Sequence, residues 1–494
     1  MATLKRSSQQ AKQLSSTNTT TSSPESEDSD VPTPFLRRRV FRLAGPVIGE
    51  NLLQTLLGIT DTILVAGLGA VALAGVGTAL QTMFIVIAAL SALSVGASVL
   101  VAQAFGARRL KEASDMARQA VVWSILISIP ISIFGWFFTP AIVSLFRMEP
   151  DVAQVSIEYL RITFGTIGTL TIMLLSSSVL RGANDSRTPM LVTAFANAIN
   201  IGFTYVLIYG IWILPELGAA GSAWGTFLSR LIGAIILVFI LLRGRNGVSI
   251  SGVGVWRPQV GVAWRLLRIG FPAALEQVLV ITAMATLTPV VAGLGTLTLA
   301  AHRVVFNVLS LSFLPGIGFG LATTSLVGQS VGAKRWGEAR AVTSIAQRWA
   351  VMWMGGFSIL FMLFAPLFMR LFTDDPFVIS TGAAGIRVIA LTQPLWAIVF
   401  VYAGALRGAG DTRTPLLISA IAMWTAVCAA YINVTFINQS LAAVWAAFWL
   451  VTPIQVLVAR WAWRRKSLNK VDSVKNTQDA PAATQSEHQS PAPD

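Results

Sequence analysis

Charged residues are scarce in this sequence. Asp, Glu, Lys and Arg make up 12% of the 494 residues, whereas 54% are hydrophobic. A soluble domain carries roughly 25% charged residues, so this composition excludes an ordinary cytosolic protein. The single cysteine, Cys428, excludes an intramolecular disulfide and a metal site built from thiolates. The sequence therefore predicts an integral membrane protein that holds no metal and no other cofactor.

Motifs for nucleotide chemistry and hydrolysis are also missing. The chain contains no GxxxxGK[ST] loop, so no ATP-binding P-loop is expected. It contains no HExxH and no GxSxG motif, which are signatures of zinc proteases and of serine hydrolases. We therefore predict a protein that is not an enzyme, and any transport must be passive or driven by an ion gradient.

Long apolar segments fill the chain between two polar tails. A membrane helix needs about 20 apolar residues, and twelve segments meet this requirement. They cover approximately 43–68, 77–104, 119–141, 159–180, 190–213, 218–242, 269–294, 303–330, 345–368, 386–406, 415–437 and 440–462. The predicted fold class is an all-α integral membrane protein with twelve transmembrane helices.

The formal net charge of +14 follows the topology of these segments. If the N-terminus is inside, 30 of the 36 Lys and Arg residues lie on the cytoplasmic side and four lie on the opposite side. This is the positive-inside distribution. It predicts a multi-pass protein of the cell (inner or plasma) membrane with both termini cytoplasmic. Orientation in the lipid bilayer therefore accounts for the positive charge, and we expect no nucleic-acid partner.

The sequence contains an internal repeat. The segment Leu180–Pro189 (LRGANDSRTP) returns as Leu406–Pro415 (LRGAGDTRTP), 226 residues later, and the same offset relates Pro46 to Pro272 and Glu50 to Glu276. Parallel repeats of six helices predict two lobes with the same orientation in the membrane, typical of alternating-access transporters. The predicted organisation is a disordered tail (1–33), an N-lobe (34–242), a cytoplasmic linker (243–265), a C-lobe (266–466) and a second disordered tail (467–494).

Ionisable residues inside a membrane are functional candidates, because each costs about 2.5–3.5 kcal/mol to insert. The candidates are Glu50, Asp61, Arg230, Glu276 and His302. Asp61 has no acidic counterpart in the second repeat, so we interpret it as a cation- or proton-binding group. Glu50 and Glu276 are twins, which leaves a helix-positioning role open for both. The candidates for the cavity or the substrate, with structural roles as the alternative, are Glu50, Gln54, Arg230, Glu276 and His302.

The first predicted helix carries a polar stripe. Asp61 follows Glu50 by 11 residues, about 20° past three whole turns, and Gln54 falls near the same line. Pro46 frees a backbone carbonyl and can serve as a helix hinge. In the repeated loops, Asp185 and Asp411 are predicted to cap the helices that follow.

Several motifs together resemble the multidrug and toxic compound extrusion (MATE) family, in its DinF-like branch. They are Pro46 and Asp61 at a spacing of fifteen, the twin Leu180–Pro189 and Leu406–Pro415 segments, and the sequences Val101–Gln103, Val327–Gln329 and Ala300–His302. The resemblance covers residues 40–463. It implies two six-helix lobes in a V shape, a monomer, and antiport of organic compounds against protons or sodium ions.

The resemblance also implies a polar site in the N-lobe. Asp61 matches the family's acid in the first helix, and Asn200 and Thr226 match further polar positions. Thr204 stands where DinF-like members carry a second Asp, which favours a proton over sodium as the coupling ion. Glu276 lies near the acid used by NorM-like members, but not at its position.

These observations together predict a proton-coupled antiporter, with sodium as the other possible ion, that exports amphipathic organic compounds by alternating access. One alternative is a flippase for a lipid-linked precursor within the same superfamily. Another is a membrane receptor or scaffold that does not transport, which the even repeat disfavours.

Overall fold

The computed structural model describes residues 33–211, 215–252 and 256–478, and these residues are almost entirely helical. Within them the only extended pairing is an isolated bridge between Arg245 and Val248. The predicted all-α class is therefore confirmed. The helices are α1 (Thr33–Ala66), α2 (Ala70–Gly106), α3 (Leu110–Ser144), α4 (Pro150–Gly165), α5 (Ile167–Gly182), α6 (Arg187–Tyr209), α7 (Gly218–Arg243), α8 (Val260–Ala292), α9 (Thr296–Gly332), α10 (Trp336–Arg370), α11 (Pro376–Ala390), α12 (Gln393–Gly408), α13 (Arg413–Phe436) and α14 (Leu441–Gln478).

The helices of the described residues agree with the predicted twelve spans. Nine are long and apolar enough to cross a membrane, and two bent pairs raise the number to eleven. The 34-residue α1 occupies the place of the remaining predicted span, with Glu50 and Asp61 along its length. We refer below to α1–α7 as the N-lobe and α8–α14 as the C-lobe.

Several predicted boundaries differ from the structure. Helix α1 begins ten residues before the predicted span, because the sequence 33–42 contains no helix-breaking residue after Pro34. The connection between the lobes is shortened to 244–259 because α8 begins at Val260. Helix α14 continues to Gln478, past the predicted start of the second tail at 467, since its polar residues are compatible with a helix. Residues 1–32 and 479–494 of the predicted tails lie outside the described residues.

The fourth and tenth predicted spans are each broken into two helices. Helices α4 and α5 meet at 52°, and so do α11 and α12. Thr166 and Thr392, related by the 226-residue offset, occupy the two breaks. Their hydroxyls donate to the carbonyls of Ile162 (2.7 Å) and Ile389 (2.8 Å), which also accept the backbone N–H of the same threonine. Each threonine therefore closes the last turn of the helix before the bend. The sequence predicted continuous spans here because threonine fits an apolar helix.

The first helix of each lobe packs on the other lobe. Leu36, Val40 and Leu43 of α1 belong to the hydrophobic core of the C-lobe, and Val262 and Leu266 of α8 belong to a core of the N-lobe. This exchange ties the two lobes together at one end of the bundle, where α1 begins and α2 ends. The loops and helix ends here together carry most of the arginines, and we call this the basic end.

Helices α2 and α9 cross closely at the basic end. A Cβ atom built at Gly106 would lie 1.9 Å from the carbonyl oxygen of Gln329, and one at Gly332 would lie 2.0 Å from that of Gln103. Glycine is therefore required at both positions for this approach. The two glycines are themselves related by the repeat, so the crossing is symmetric.

Four polar bonds between the lobes surround this crossing, and we call them the latch. They form two pairs related by the 226-residue offset. They join Gln103 Nε2 to the Gly408 carbonyl (3.0 Å), Gln329 Nε2 to the Gly182 carbonyl (3.0 Å), Arg265 to Glu112 (3.9 Å) and Arg39 to Glu338. The latch holds the two lobes together at the basic end.

Candidate functional site

A buried polar cluster lies between α1, α6 and α7 in the N-lobe. The Thr226 hydroxyl donates to Asp61 Oδ2 at 3.5 Å, and the Asn200 amide donates to the Thr226 hydroxyl at 3.2 Å. The Thr204 hydroxyl donates to Asn200 Oδ1 at 3.4 Å. All four side chains are at least nine-tenths buried. The structure therefore brings together the four residues that the sequence assigned to cation or proton coupling.

Local sequence spacing explains how these side chains meet. Asn200 and Thr204 are four residues apart on α6 and share one helix face. Gly225 lets α7 approach that face, because a Cβ at this position would lie 2.4 Å from the Thr204 hydroxyl. Thr226 is the next residue along α7, and its hydroxyl accepts the hydrogen bond from the Asn200 amide. The close helix contact and the polar cluster therefore have the same cause.

The sequence analysis missed Ser229. Its hydroxyl accepts a hydrogen bond from the Asn200 amide at 3.3 Å and donates to the Thr226 carbonyl at 3.0 Å. The available signal was its spacing of three residues from Thr226 on the same helix face. With Ser229 included, both donors of the Asn200 amide nitrogen have partners, so Asn200 is held in one orientation.

The Asp61 carboxylate is incompletely satisfied. Its Oδ1 atom is buried and has no hydrogen-bond partner among the described residues. The Arg230 guanidinium is near enough to interact electrostatically with Asp61 and with Tyr159, although no ion pair within 4.0 Å joins it to a carboxylate of the described chain. Arg230 also borders a small cavity beside the break between α4 and α5. The cluster thus combines one acid, one nearby cation and neutral hydrogen-bonding groups.

Glu50 and Glu276 occupy a different environment. Glu50 pairs with Arg181 at 2.9 Å, and Glu276 pairs with Arg407 at 2.7 Å. The Ser419 hydroxyl also donates to Glu276 at 2.8 Å. Each pair joins the first helix of a lobe to the end of its broken fourth helix, and the 226-residue offset relates the two pairs. This geometry fits the helix-positioning alternative for both glutamates.

The other candidates lie apart from the N-lobe cluster. Gln54 is exposed and has no hydrogen-bond partner in the described structure. Pro46 lies inside α1, whose helical assignment continues through it. His302 is buried in the C-lobe and stacks on Trp445, with ring centroids 5.3 Å apart. None of these three contacts Asp61.

The two repeated loops at the basic end cap their helices as predicted. Asp185 accepts hydrogen bonds from the Thr188 backbone (3.1 Å) and from Arg245 (2.8 Å). Burial alone would raise the pKa of the Asp185 carboxyl, but the hydrogen bonds from Thr188 and Arg245 outweigh it and hold the pKa below its ordinary value. The twin Asp411 also has a lowered pKa, through bonds from Thr414 and Lys466.

Two lobes of one helical plan, joined at one end and holding a polar centre between membrane helices, define a two-lobed membrane transporter. A family model described as MatE matches the chain twice, at residues 46–206 and 272–432. Both bounds shift by 226 residues, the offset of the internal repeat. The chain therefore belongs to the MATE family, whose members are transporters and not enzymes.

Individual relatives agree with this assignment. The chain is 33% identical over 419 residues to the probable multidrug resistance protein NorM of Thermotoga maritima, covering 83% of this chain and 89% of that protein. It is 30% identical to the multidrug resistance protein NorM of Burkholderia vietnamiensis, covering 78% and 84%. These names do not identify the DinF-like branch, which stays a prediction.

Solved structures support the fold. One is a multidrug resistance MATE family transporter of the MOP superfamily in an outward-facing conformation. It aligns with a TM-score of 0.82 at 24% identity, over 90% of this chain and 99% of that one. At this identity the likeness carries the fold, and the function must be argued from this chain's own residues.

Proposed function

We propose that this protein is a secondary active antiporter that exports amphipathic organic compounds in exchange for protons. Family membership and relatives named for multidrug resistance support the export of drug-like compounds. The observation that carries the coupling proposal is Asp61. It is a buried acid within a membrane-spanning helix, and one of its oxygen atoms has no partner. Such an acid can take up and release a proton, which changes the charge of the site by one unit.

Protons are favoured over sodium ions by how the surrounding oxygens are used. The Thr226 and Ser229 hydroxyls both accept hydrogen bonds from the Asn200 amide, and Asn200 Oδ1 accepts one from Thr204. These oxygens already accept hydrogen bonds within the cluster, and Asp61 contributes its single negative charge. A metal cation needs several free oxygen ligands, whereas a proton needs one.

Alternating access follows from the latch. We assign the basic end to the cytoplasm, with both termini there, because positive charge is enriched on that side of membrane proteins. The structure then represents a state closed toward the cytoplasm. Proton uptake by Asp61 from outside would change the packing of α1 against α6 and α7 and release the substrate outward. The protein would work as a monomer in the cell membrane, since each lobe already provides one half of the pathway.

Flux in proteoliposomes tests this proposal. A pH-sensitive dye inside the vesicles would report proton movement when a lipophilic cation is added under an imposed pH gradient, with and without sodium. We expect substrate-triggered proton flux in the wild type and its loss in Asp61→Asn, with substrate binding retained. The matched control is Asp151→Asn, the same chemical change at an exposed position.

Each result has a clear meaning. Unimpaired flux in Asp61→Asn would refute the role of Asp61. A response that requires sodium and is independent of the pH gradient would transfer the coupling to sodium, and Asn200, Thr204 and Thr226 would be the ligands to vary. Normal flux in Asp151→Asn would show that the loss in Asp61→Asn comes from the position and not from the substitution itself.

Arg230 supports one second candidate, a flippase for a lipid-linked precursor. A guanidinium within a membrane helix, beside a small cavity, can bind an anionic phosphate group. A flippase would move a fluorescent lipid-linked phosphate between leaflets and would lose this activity in Arg230→Gln. The antiporter proposal expects no lipid movement and a response to organic cations instead.

A further inference from the structure

Besides Arg407 Nε, four buried nitrogen atoms in the C-lobe have no hydrogen-bond partner among the described residues. They are His302 Nδ1, Gln393 Nε2, Trp396 Nε1 and Trp445 Nε1. Their side chains are 5%, 0%, 4% and 1% exposed, so bulk water does not satisfy them in this state. Most buried polar groups in proteins are paired, and an unpaired donor is costly. A group of four therefore requires a physical reason.

Three of the four nitrogens, those of His302, Trp396 and Trp445, belong to one aromatic cluster. The His302 ring stacks on Trp445 at 5.3 Å and 25°. Phe448 contacts Trp445 at 5.7 Å and Trp396 at 5.5 Å. The rings of His302, Trp445, Phe448 and Trp396 thus form one connected set, contributed by α9, α12 and α14. The cluster offers flat apolar faces together with N–H groups.

Gln393 lies about one helical turn before Trp396, at the break of a membrane helix. It is the first residue of α12, where the chain turns by 52° from α11. The Ser312 hydroxyl donates to Gln393 Oε1 at 2.9 Å, so the carboxamide is oriented and its nitrogen faces away from this bond. Broken membrane helices are common places for transporter binding sites, because their ends leave polar groups unpaired.

The internal repeat shows that the fold does not need these polar side chains. At the 226-residue offset, His302, Gln393 and Trp396 correspond to Val76, Ile167 and Leu170, which are buried core residues of the N-lobe. The reverse also holds for the N-lobe cluster. Asp61, Asn200 and Thr204 correspond to Leu287, Ala426 and Ala430 in the core of the C-lobe. Thr226 and Ser229 correspond instead to the buried polar residues Thr452 and Gln455. The residues that distinguish the lobes are therefore Asp61, Asn200 and Thr204 in the N-lobe and His302, Gln393 and Trp396 in the C-lobe.

We propose that the C-lobe cluster binds an oxygen atom of the organic substrate, a carbonyl or a carboxylate. This inference rests on the proposed export function and names a chemical feature of the substrate. The two indoles and the carboxamide are N–H donors without formal charge, so they recognise a hydrogen-bond acceptor and not a cation. The surrounding rings suit the aromatic body of such a compound. The acid of the N-lobe and the donors of the C-lobe then carry out separate tasks.

Three related dyes test the proposal with the purified full-length protein in detergent. Tetramethylrosamine has no carboxyl group, tetramethylrhodamine methyl ester adds an ester carbonyl, and tetramethylrhodamine adds a free carboxylate on the same cationic core. Fluorescence anisotropy gives the Kd of each dye. Trp396→Phe and Trp445→Phe remove one N–H donor each and keep an aromatic ring. Each substitution should weaken binding of an oxygen-bearing dye about 2- to 12-fold and leave rosamine binding unchanged.

Comparing the methyl ester dye with the free-acid dye shows which kind of substrate oxygen the cluster binds. Selective weakening of the ester indicates an uncharged carbonyl, and selective weakening of the acid indicates a carboxylate. Trp449→Phe is the matched control on α14, because its N–H already donates to the Val388 carbonyl at 2.8 Å. Gln393→Leu is an independent variant that removes a donor from α12, and thermal unfolding of each variant reports whether it folds.

Two results would overturn the inference. One is equal weakening of all three dyes, which would reflect lost packing. The other is unchanged binding of all three dyes in folded variants, which would make the unpaired nitrogens a structural cost only. Export of rosamine by the wild type in proteoliposomes separately tests the proposed function. If the wild type exports rosamine and the variants show no selective loss, the C-lobe inference alone fails.

Discussion

The latch makes a quantitative prediction, because its two ion pairs are related by the repeat but differ in environment. Glu338 is 4% exposed and Arg39 is 22% exposed, and Arg39 also donates to the Gln329 side chain at 2.9 Å. In the twin pair, Arg265 is 52% exposed, Glu112 is 34% exposed, and the two groups are 3.9 Å apart. One pair is therefore largely desolvated, whereas the other is accessible to water and counter-ions.

These environments set the expected energies. Removing one partner of a buried ion pair costs about 3–5 kcal/mol. Glu338 keeps Arg335 at 2.9 Å, so the lower limit of about 3 kcal/mol applies to Arg39→Met. An exposed pair contributes about 0–1 kcal/mol, which applies to Arg265→Met. Both bonds exist only while the lobes touch, so the loss acts on the closed state. The ratio of closed to open protein should fall about 100-fold in the first variant and at most about 5-fold in the second.

Spin labels at the basic end measure this ratio. The single cysteine, Cys428, is exposed and can be changed to serine. Labels at Lys111 and Lys334, which are exposed residues in opposite lobes, then report the distance between the lobes. We expect a longer distance to appear in Arg39→Met and the wild-type distribution in Arg265→Met.

Methionine keeps an apolar stem in place of each arginine, so lost packing contributes little to the comparison. Equal shifts in both variants, or a larger shift in Arg265→Met, would refute the argument from burial. A wild-type distribution in both variants would show that the closed state is held by the packing of α2 on α9 without the latch.

Three further predictions concern the same framework. Gly106→Ala should open the basic end, since its Cβ would lie 1.9 Å from the Gln329 carbonyl, whereas Gly202→Ala, with nothing within 4 Å, should leave the spin-label distance unchanged. Glu276→Gln should lower the free energy of unfolding of the C-lobe by about 3 kcal/mol through loss of its buried ion pair, measured by thermal unfolding in detergent. Asp185→Asn should be less stable than the wild type at neutral pH. Because the folded pKa of Asp185 lies below its ordinary value of 3.8, its contribution is present above pH 3.8 and is lost as the pH falls through the folded pKa. The two unfolding curves should then coincide.

The sequence predicted the all-helical membrane fold well, because long apolar segments are strong, local signals. The orientation inferred from the charge asymmetry stays a prediction. The 226-residue repeat predicted symmetric partners, and the structure contains them as the Glu50–Arg181 and Glu276–Arg407 pairs. The breaks at Thr166 and Thr392 could not be predicted from composition. A threonine hydroxyl supports a helix carbonyl equally well in a straight helix and beside a bend.

The candidate site was predicted in part. Asp61, Asn200, Thr204 and Thr226 meet as expected, since polar residues on apolar helices must find one another. The C-lobe cluster was missed except for His302. Tryptophan and glutamine are ordinary in membrane helices, and their sequence gives no sign that their N–H groups lack partners. That property depends on the three-dimensional packing of α9, α12 and α14.

The asymmetry between the lobes constrains how the proposed antiporter would couple ion and substrate. A duplicated six-helix unit supplies identical scaffolding, as the latch and the paired glutamates demonstrate. The distinguishing residues of each centre, in contrast, occur in one lobe only. Asp61 and Asn200 of the N-lobe, like His302 and Gln393 of the C-lobe, correspond to apolar core residues in the other lobe. If one centre served both ion and substrate, the second lobe would have no reason to keep three buried N–H donors without partners among the described residues. Separate centres need a mechanical link, and the exchanged helices α1 and α8 provide it, because α1 carries Asp61 and packs its first turns into the core of the C-lobe.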